Sequence, residues 1–418
     1  MNQNITLKDV CELVVDCEHK TAPTQSTGYP SIRTPNIGRG RLILDNVNRV
    51  SEDTYKAWTK RAIPQSGDLI LAREAPIGNV AIIPQNLKVC LGQRTVLIRA
   101  DNNKIDSHYL CYLLLGDEIQ GKILGLSNGA TVHHLNMRDI RNLELPKLPP
   151  LPTQIKIASI LSAYDDLIEN NTKRIKILEE MAQFLYHEWF VKFRFPGHEQ
   201  VKMVESELGL IPEGWNVKKL EQLGLLARGK SKHRPRNDPS LFGGNYPFIQ
   251  TGEVKEAFLY ITNYTQTYND NGLAQSKLWE GDTLLITIAA NIAETAILNF
   301  RACFPDSIVG FVPDTNLVSA EFIKYSIDTI KIRMQNVSKG TTQDNLSLEK
   351  IKIFNFLLPE QKIMQLFINM TTPLFLQIKN LLLKNQNLRK TRDLLLPKLI
   401  SGEIDLEKLN IDRLDIAA

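Results

Sequence analysis

The 418-residue sequence is short of most things that would name a chemistry. Its five cysteines, Cys11, Cys17, Cys90, Cys111 and Cys303, are scattered and form no Cys-x-x-Cys pair, so neither a zinc site nor a disulfide framework is indicated. Free thiols suit the cytosol. No signal peptide opens the chain, and no apolar run approaches the length of a membrane span, so a cytoplasmic protein without a membrane partner is expected. Charge of one sign is also scarce. A net charge of +4 permits nucleic-acid binding without demanding it, and local charge has to decide. Hydrolase and transferase signatures are missing: there is no Gly-x-Ser-x-Gly, no Walker loop, and no Asn/Asp-Pro-Pro-Tyr of amino-methyltransferases. One loose nuclease-like match, Asp238 followed by Glu253-Val254-Lys255, has only Asn36 and Gly38 at the corresponding places earlier in the chain. His133 and His134 lack a third ligand at metal spacing, so no metal site is expected.

What is present is a heptad seam. Ile157, Leu161, Tyr164, Ile168, Asn171, Ile175, Leu178, Ala182, Leu185 and Trp189 alternate spacings of four and three. The single amide, Asn171, is the residue type that sets register within an apolar row. A second copy follows Pro359: Leu374, Ile378, Leu381, Asn385, Leu388, Leu395 and Leu399. Pro373 predicts a break near Thr371–Thr372, with the long helix starting there. Two such helices bury their seams best against each other.

The segments before the helices also repeat. Tyr29-Pro30-Ser31-Ile32 matches Tyr246-Pro247-Phe248-Ile249, and Gly67-Asp68 matches Gly281-Asp282. Ser127-Asn128-Gly129-Ala130-Thr131 matches Ser338-Lys339-Gly340-Thr341-Thr342, Leu135 falls on Leu346, and Pro152-Thr153-Gln154 matches Pro359-Glu360-Gln361. The sequence therefore predicts an α+β chain made by tandem duplication. Residues 1–150 and 213–358 form two similar α/β domains, 151–190 and 359–402 two long helices, 191–212 a connector and 403–418 a tail. An antiparallel helix pair, each helix roughly 50 Å long, would make a pseudo-two-fold object whose separated domains suit a major groove returning every ~34–36 Å.

Candidate contact residues sit where the repeat is punctuated. Arg228, Lys230, Lys232, Arg234 and Arg236 alternate around His233; in extended chain they would share one face for phosphate. The bland alternative is a solvated basic loop. In the first domain Arg33, Asn36, Arg39 and Arg41 surround turn glycines, and Arg73-Glu74 caps a hairpin. An arginine fork reads guanine and a carboxylate accepts from cytosine, unless the two simply pair. Arg94, His133 and His134 add base-edge groups, as do Gln250, Thr287, Asn291, Lys339, Thr341, Gln343 and Asn345 in the second domain. Matching the letters of the repeat places Arg73 on Thr287 and Glu74 on Ile288, so the reading surfaces differ and imply unlike half-sites.

These residues resemble the specificity subunits of type I restriction–modification enzymes. The carriers are Leu151-Pro152-Thr153-Gln154 and Leu358-Pro359-Glu360-Gln361, Glu188-Trp189-Phe190, and Leu208-Gly209-Leu210-Ile211-Pro212-Glu213-Gly214-Trp215. Further carriers are Phe304-Pro305-Asp306-Ser307-Ile308-Val309-Gly310-Phe311 and Ser338-Lys339-Gly340-Thr341-Thr342-Gln343. The resemblance implies two target-recognition domains binding double-stranded DNA and two spacer helices docking two methyltransferase subunits. It implies no catalysis and no cofactor on this chain: S-adenosylmethionine sits on the methyltransferase partner, and ATP and magnesium on the restriction subunits. The family's Arg73–Gly78 type of hairpin tip is missing from the second domain. The competing expectations are a coiled-coil adaptor without DNA contact and a self-contained nuclease or methyltransferase.

Overall fold

The computed structural model describes residues 5–127, 134–339 and 345–406. Its contacts divide the chain into two units, Met1–Glu169 with Asn387–Ala418, and Asn170–Gln386. Each long helix is thus divided between them.

In the first unit, the opening Leu7–Val10 turn leads into strand β1 (Cys11–Asp16). β2 (Gly40–Arg41), β3 (Leu69–Ala72), β4 (Val80–Ile82) and β5 (Thr95–Ala100) complete a five-stranded sheet in the order β1-β5-β3-β4-β2. All neighbours are antiparallel except β2 on β4. The apolar runs make the reason plain: Leu69, Ile70, Leu71 and Ala72 are buried on both faces. Helix α1 (Ser107–Leu115), capped by Asp106, lies against β4 and is buried from Tyr109 to Leu115. Gly116 is extended, and α2 (Asp117–Gly125) starts after it.

The second unit repeats this arrangement. β6 (Gly224–Arg228), β7 (Tyr260–Ile261), β8 (Leu284–Thr287), β9 (Thr295–Leu298) and β10 (Ile308–Pro313) form a sheet ordered β6-β10-β8-β9-β7, again with one parallel pair, β7 on β9. A single helix of 19 residues replaces the broken pair of the first unit.

Backbone hydrogen bonds fix how the copies correspond. Gly67 N–H donates to Ile83 O and Asp282 N–H to Leu298 O; Gly78 N–H donates to Ala72 O and Ala293 N–H to Thr287 O. Leu135 N–H donates to Arg73 O, and Leu346 N–H to Ile288 O. Hence Gly67 corresponds to Asp282, Ala72 to Thr287 and Arg73 to Ile288. The register lies one residue beyond the one implied by matching Gly-Asp to Gly-Asp. The left-handed position explains the slip: it is taken by Gly67 (φ 88) in one copy and by Asp282 (φ 61) in the other. Aspartate tolerates that conformation, so the glycine letter moved while the turn did not.

Helix α3 (Leu151–Tyr186) carries the first seam and ends in a π-type turn at His187–Val191. In the first unit Ile157 and Leu161 share a core with Leu395 and Leu399. In the second, Ile175, Ala182 and Trp189 share one with Ile363, Phe367, Ile378 and Leu381, and Leu178, Leu185 and Leu374 pack on its edge. In both units the helices run antiparallel. Ile168 is also buried, while Leu388 is partly covered. The two seam amides meet: Asn171 Nδ2 donates to Asn385 Oδ1 (2.9 Å), and Asn385 Nδ2 to Thr172 Oγ1 (3.2 Å).

The break expected at Thr371–Thr372 does not occur; α4 (Gln361–Ile400) is continuous through Pro373. Thr371 and Thr372 hydroxyls donate to the Phe367 and Ile368 carbonyls (2.8 and 2.7 Å), bonding the turn beside the proline through side chains. Phe367, Phe375 and Ile378 flank it in the core. Three buried side chains at about 1.5–3 kcal/mol each outweigh the ~3 kcal/mol of an interior proline. The expectation of no span-length apolar run also fails, because α4 is long and apolar enough to cross a membrane by length and composition. Its buried apolar residues serve the unit cores just described.

Candidate nucleic-acid interface

In the first unit the β3–β4 hairpin tip is held by a chain of side chains. Arg73 is 6% exposed. Its Nε donates to Leu135 O (2.8 Å) and its Nη2 to His134 Nε2 (2.8 Å). Since Nη2 can only donate, His134 Nε2 accepts, and the proton lies on Nδ1, which donates to Glu74 Oε1 (2.6 Å). Glu74 also faces Arg94, with Nε 2.9 Å from Oε2. Arg73 and Glu74 therefore do not pair directly; His134 stands between them. Burial removes Arg73 from any base edge, contrary to the fork reading. Arg94 stays open, its side chain 59% exposed, on a backbone with φ of 66°.

The glycine-flanked segment mostly holds the domain together. Asn36 Oδ1 accepts from Arg33 N–H and its Nδ2 donates to Ile43 O, so this amide closes its own loop rather than facing outward. Arg39 donates to Leu115 O (2.9 Å). Arg41 ion-pairs with Asp166 and Glu169 of α3, which ties β2 to the helix. Arg33 is exposed and forms no ion pair among the described residues. It passes so close to Gly92 that a Cβ there would lie 2.5 Å from Arg33 Cγ.

In the second unit, only Arg228 of the basic segment is in a strand; residues after it form a loop, so the expected alternation on one extended face does not occur. Gln275 Oε1 is the reason: it accepts from the N–H groups of both Lys232 (2.6 Å) and His233 (3.0 Å) and curls the chain around itself. The arginines then converge. Arg236 Nη2 is 2.5 Å and Arg234 Nη2 3.7 Å from the Asp306 carboxylate, while Arg228 Nε donates to Asp306 O (3.0 Å). Arg234 also donates to Ser231 O and His233 O. His233 pairs with Asp238 (2.9 Å), whose carboxyl is held below its ordinary range by the Ser240 N–H first and by His233. Lys232 is exposed and Lys230 half-buried, both without an ion pair among the described residues.

The remaining positions fall apart from one another. Thr287 is fully buried; its hydroxyl donates to Asn291 O and accepts from Glu294 N–H (3.0 Å), a turn-holding role that contradicts base reading. Gln250 donates to Gln266 Oε1 (2.8 Å). Asn291 is half-buried, Lys339 is exposed at the end of the 19-residue helix, and Asn345 N–H donates to Ser338 O. His133, Thr341 and Gln343 lie outside the described residues. No group of three or more His, Cys, Asp or Glu among the described residues could hold a metal ion.

The sequence reading missed the acids. Asp306 gathers three arginines, and it stood in plain view within the quoted Phe304–Phe311 motif. Asp16, at the place of Arg228, holds His19 (2.9 Å) and Arg61; burial pushes its carboxyl up, but these partners outweigh it and keep it low. Asp165 on the seam helix accepts from Tyr112 OH (2.6 Å) and Arg392 (2.5 Å). A carboxylate at a helix position beside the apolar row was the available signal.

Comparison with known proteins bears on these units directly. A family model for the type I restriction modification DNA specificity domain matches twice, at residues 2–180 and 212–383. The MjaIX type I restriction enzyme specificity subunit of Methanocaldococcus jannaschii is 28% identical over 374 residues, covering 86% of this chain and 82% of that protein. The HindI specificity subunit of Haemophilus influenzae is 23% identical over 443 residues, covering 90% and 95%. The crystal structure of the type I restriction–modification S subunit from M. genitalium aligns over 95% of both chains with a TM-score of 0.56 at 17% identity, a likeness of fold. Two successive matches to one domain, on two units of one sheet order, place this chain in the family of type I restriction–modification DNA specificity subunits.

Proposed function

We propose that this non-catalytic specificity subunit binds a bipartite, asymmetric double-stranded DNA target, each unit reading one half-site. It docks two methyltransferase subunits and, through them, restriction subunits. The observation that carries this is one sheet order built twice with unlike tips: Arg73, Glu74 and Arg94 in one copy correspond to Ile288, Ala289 and Ser307 in the other. Equal scaffolds with unequal polar tips suit two different short sequences. Docking is supported by the apolar stripe Ile177, Met181 and Phe184 on α3, 55%, 52% and 66% exposed at helical spacing. In this reading S-adenosylmethionine is carried by the methyltransferase partner, ATP and magnesium by the restriction subunit, and the assembly works in the cytoplasm.

The deciding experiment exchanges residues 5–150 for those of a relative and maps methylation. One half of the target should change and the other stay; a change in both, or in neither, sinks the two-reader assignment. Titration of the chain with its methyltransferase partner at two salt concentrations separates the adaptor reading, because phosphate-driven binding falls steeply with salt and an adaptor shows no such response.

A further inference from the structure

We infer that Arg94 is the guanine-reading residue of the first unit, aimed by a relay that runs Arg73–His134–Glu74–Arg94. The inference rests on the DNA-recognition reading above and deepens it by naming the base and the atoms.

Three observations carry it. First, the Arg94–Glu74 ion pair closes at Nε (2.9 Å to Glu74 Oε2), and the Arg94 side chain donates no hydrogen bond among the described residues while remaining 59% exposed. A guanidinium paired by charge on its Nε side leaves its fork open to a pair of acceptors, the O6 and N7 of guanine in the major groove. Second, the relay behind it is directional. Buried Arg73 can only donate to His134 Nε2, so His134 donates from Nδ1 to Glu74 Oε1, which leaves Oε2 toward Arg94. An arginine serving only to neutralise Glu74 would need none of these supports. Third, Arg94 adopts a left-handed backbone with φ of 66°, a conformation unfavourable for a side chain of this kind and one that concentrates at functional sites. Its carbonyl is fixed there by the Arg73 N–H (2.9 Å), so the same residue that starts the relay also sets the backbone of its end.

The test uses the full chain assembled with its methyltransferase subunits and the duplex identified by methylation mapping. Guanines are replaced one at a time by 7-deazaguanine, which lacks the N7 acceptor. One guanine, in the half-site assigned to the first unit, should be sensitive, its replacement weakening wild-type binding about tenfold or more. Arg94→Gln should weaken binding to the native duplex by a similar factor and make that replacement silent. Arg94→Lys, which keeps the charge but loses the fork, should keep the salt dependence and still lose the discrimination; it also guards against misfolding of the Gln variant. Glu74→Gln should weaken binding to the native duplex more than to its 7-deaza counterpart and so reduce the native-to-deaza ratio. Independent, additive effects of Arg94→Gln and the base change, or no sensitive guanine in that half-site, overturn the inference alone. Absence of any sequence preference by the wild-type complex overturns the DNA-recognition reading beneath it.

Discussion

The two units solve one problem with different polar parts. In the first, the helix pair is locked by charge: Asp165, 7% exposed, accepts from Arg392 and from Tyr112, whose hydroxyl is pushed up by burial and by that carboxylate. In the second, it is locked by neutral amides, Asn171 on Asn385, and the buried acid, Glu179, is left with Gln183 Nε2 at 3.2 Å. The tips differ in the same manner. The first gathers Arg73, His134, Glu74 and Arg94 into one relay; the second gathers three arginines on Asp306. A repeated backbone thus constrains the strands and leaves buried polar chemistry free to diverge, because each polar group needs only a local partner.

Breaking the charged lock gives the largest expected effect. Asp165→Ala leaves the Tyr112 hydroxyl and Arg392 Nη1 without their acceptor, Arg392 keeping only Asp393, and should lower the stability of the first unit by roughly 3 kcal/mol in denaturant unfolding. Loss under about 1 kcal/mol would mean that the lock is ornamental.

Glu179 sharpens the comparison from the opposite direction. Burial raises its carboxyl from 4.5 to about 6, against the lowering by Lys324. The folded state therefore binds the proton more tightly than the unfolded one. This contribution is fully present below pH 4.5 and is lost as pH rises through about 6. Glu179→Gln should remove that slope and stabilise the second unit above pH 7 by at most about 2 kcal/mol, read from melting as a function of pH. Unchanged pH dependence would refute the assignment.

At the second tip, Thr287→Ala removes a buried hydroxyl that holds Glu294 N–H and Asn291 O, and should cost roughly 1–2 kcal/mol by denaturant unfolding. Ala72 occupies the same place in the first unit without such a hydroxyl, so Ala72→Thr offers the reciprocal test; a stabilised first unit would show that the two turns are interchangeable.

The smallest effect belongs to Arg41. Its side chain is 40% exposed, and its partners Asp166 and Glu169 are 71% and 38% exposed. Arg41→Ala should cost no more than about 1 kcal/mol, fading as salt is raised. A larger, salt-insensitive loss would make this tie comparable to the Asp165 lock.

Much of this was legible in the letters, and the misses have physical causes. The seam from Ile157 to Trp189, with one amide in each apolar row at Asn171 and Asn385, followed from heptad spacing, which a helix converts directly into a shared face; that the two amides meet is a finding of the structure. The strands Leu69–Ala72 and Leu284–Thr287 followed from short apolar runs. The helix break at Pro373 did not follow, because proline's local penalty is outweighed by burial of Phe367, Phe375 and Ile378. The basic segment after Arg228 was read as extended because nothing local reveals Gln275, forty-three residues away in the chain, as the acceptor that bends it. The slip that set Arg73 on Thr287 came from reading a glycine as the turn, when the turn is a φ value that Asp282 also supplies.

The sequence by itself determined the duplication, the strands and the seam, since these depend on periodicity and on residues close in the chain. Tertiary structure alone decided which cations face outward. Arg73 and Arg94 are the same letter, yet one is 6% exposed and the other has a 59% exposed side chain. Whether an arginine is free to touch DNA depends on which distant acceptors it meets, and no local pattern encodes that.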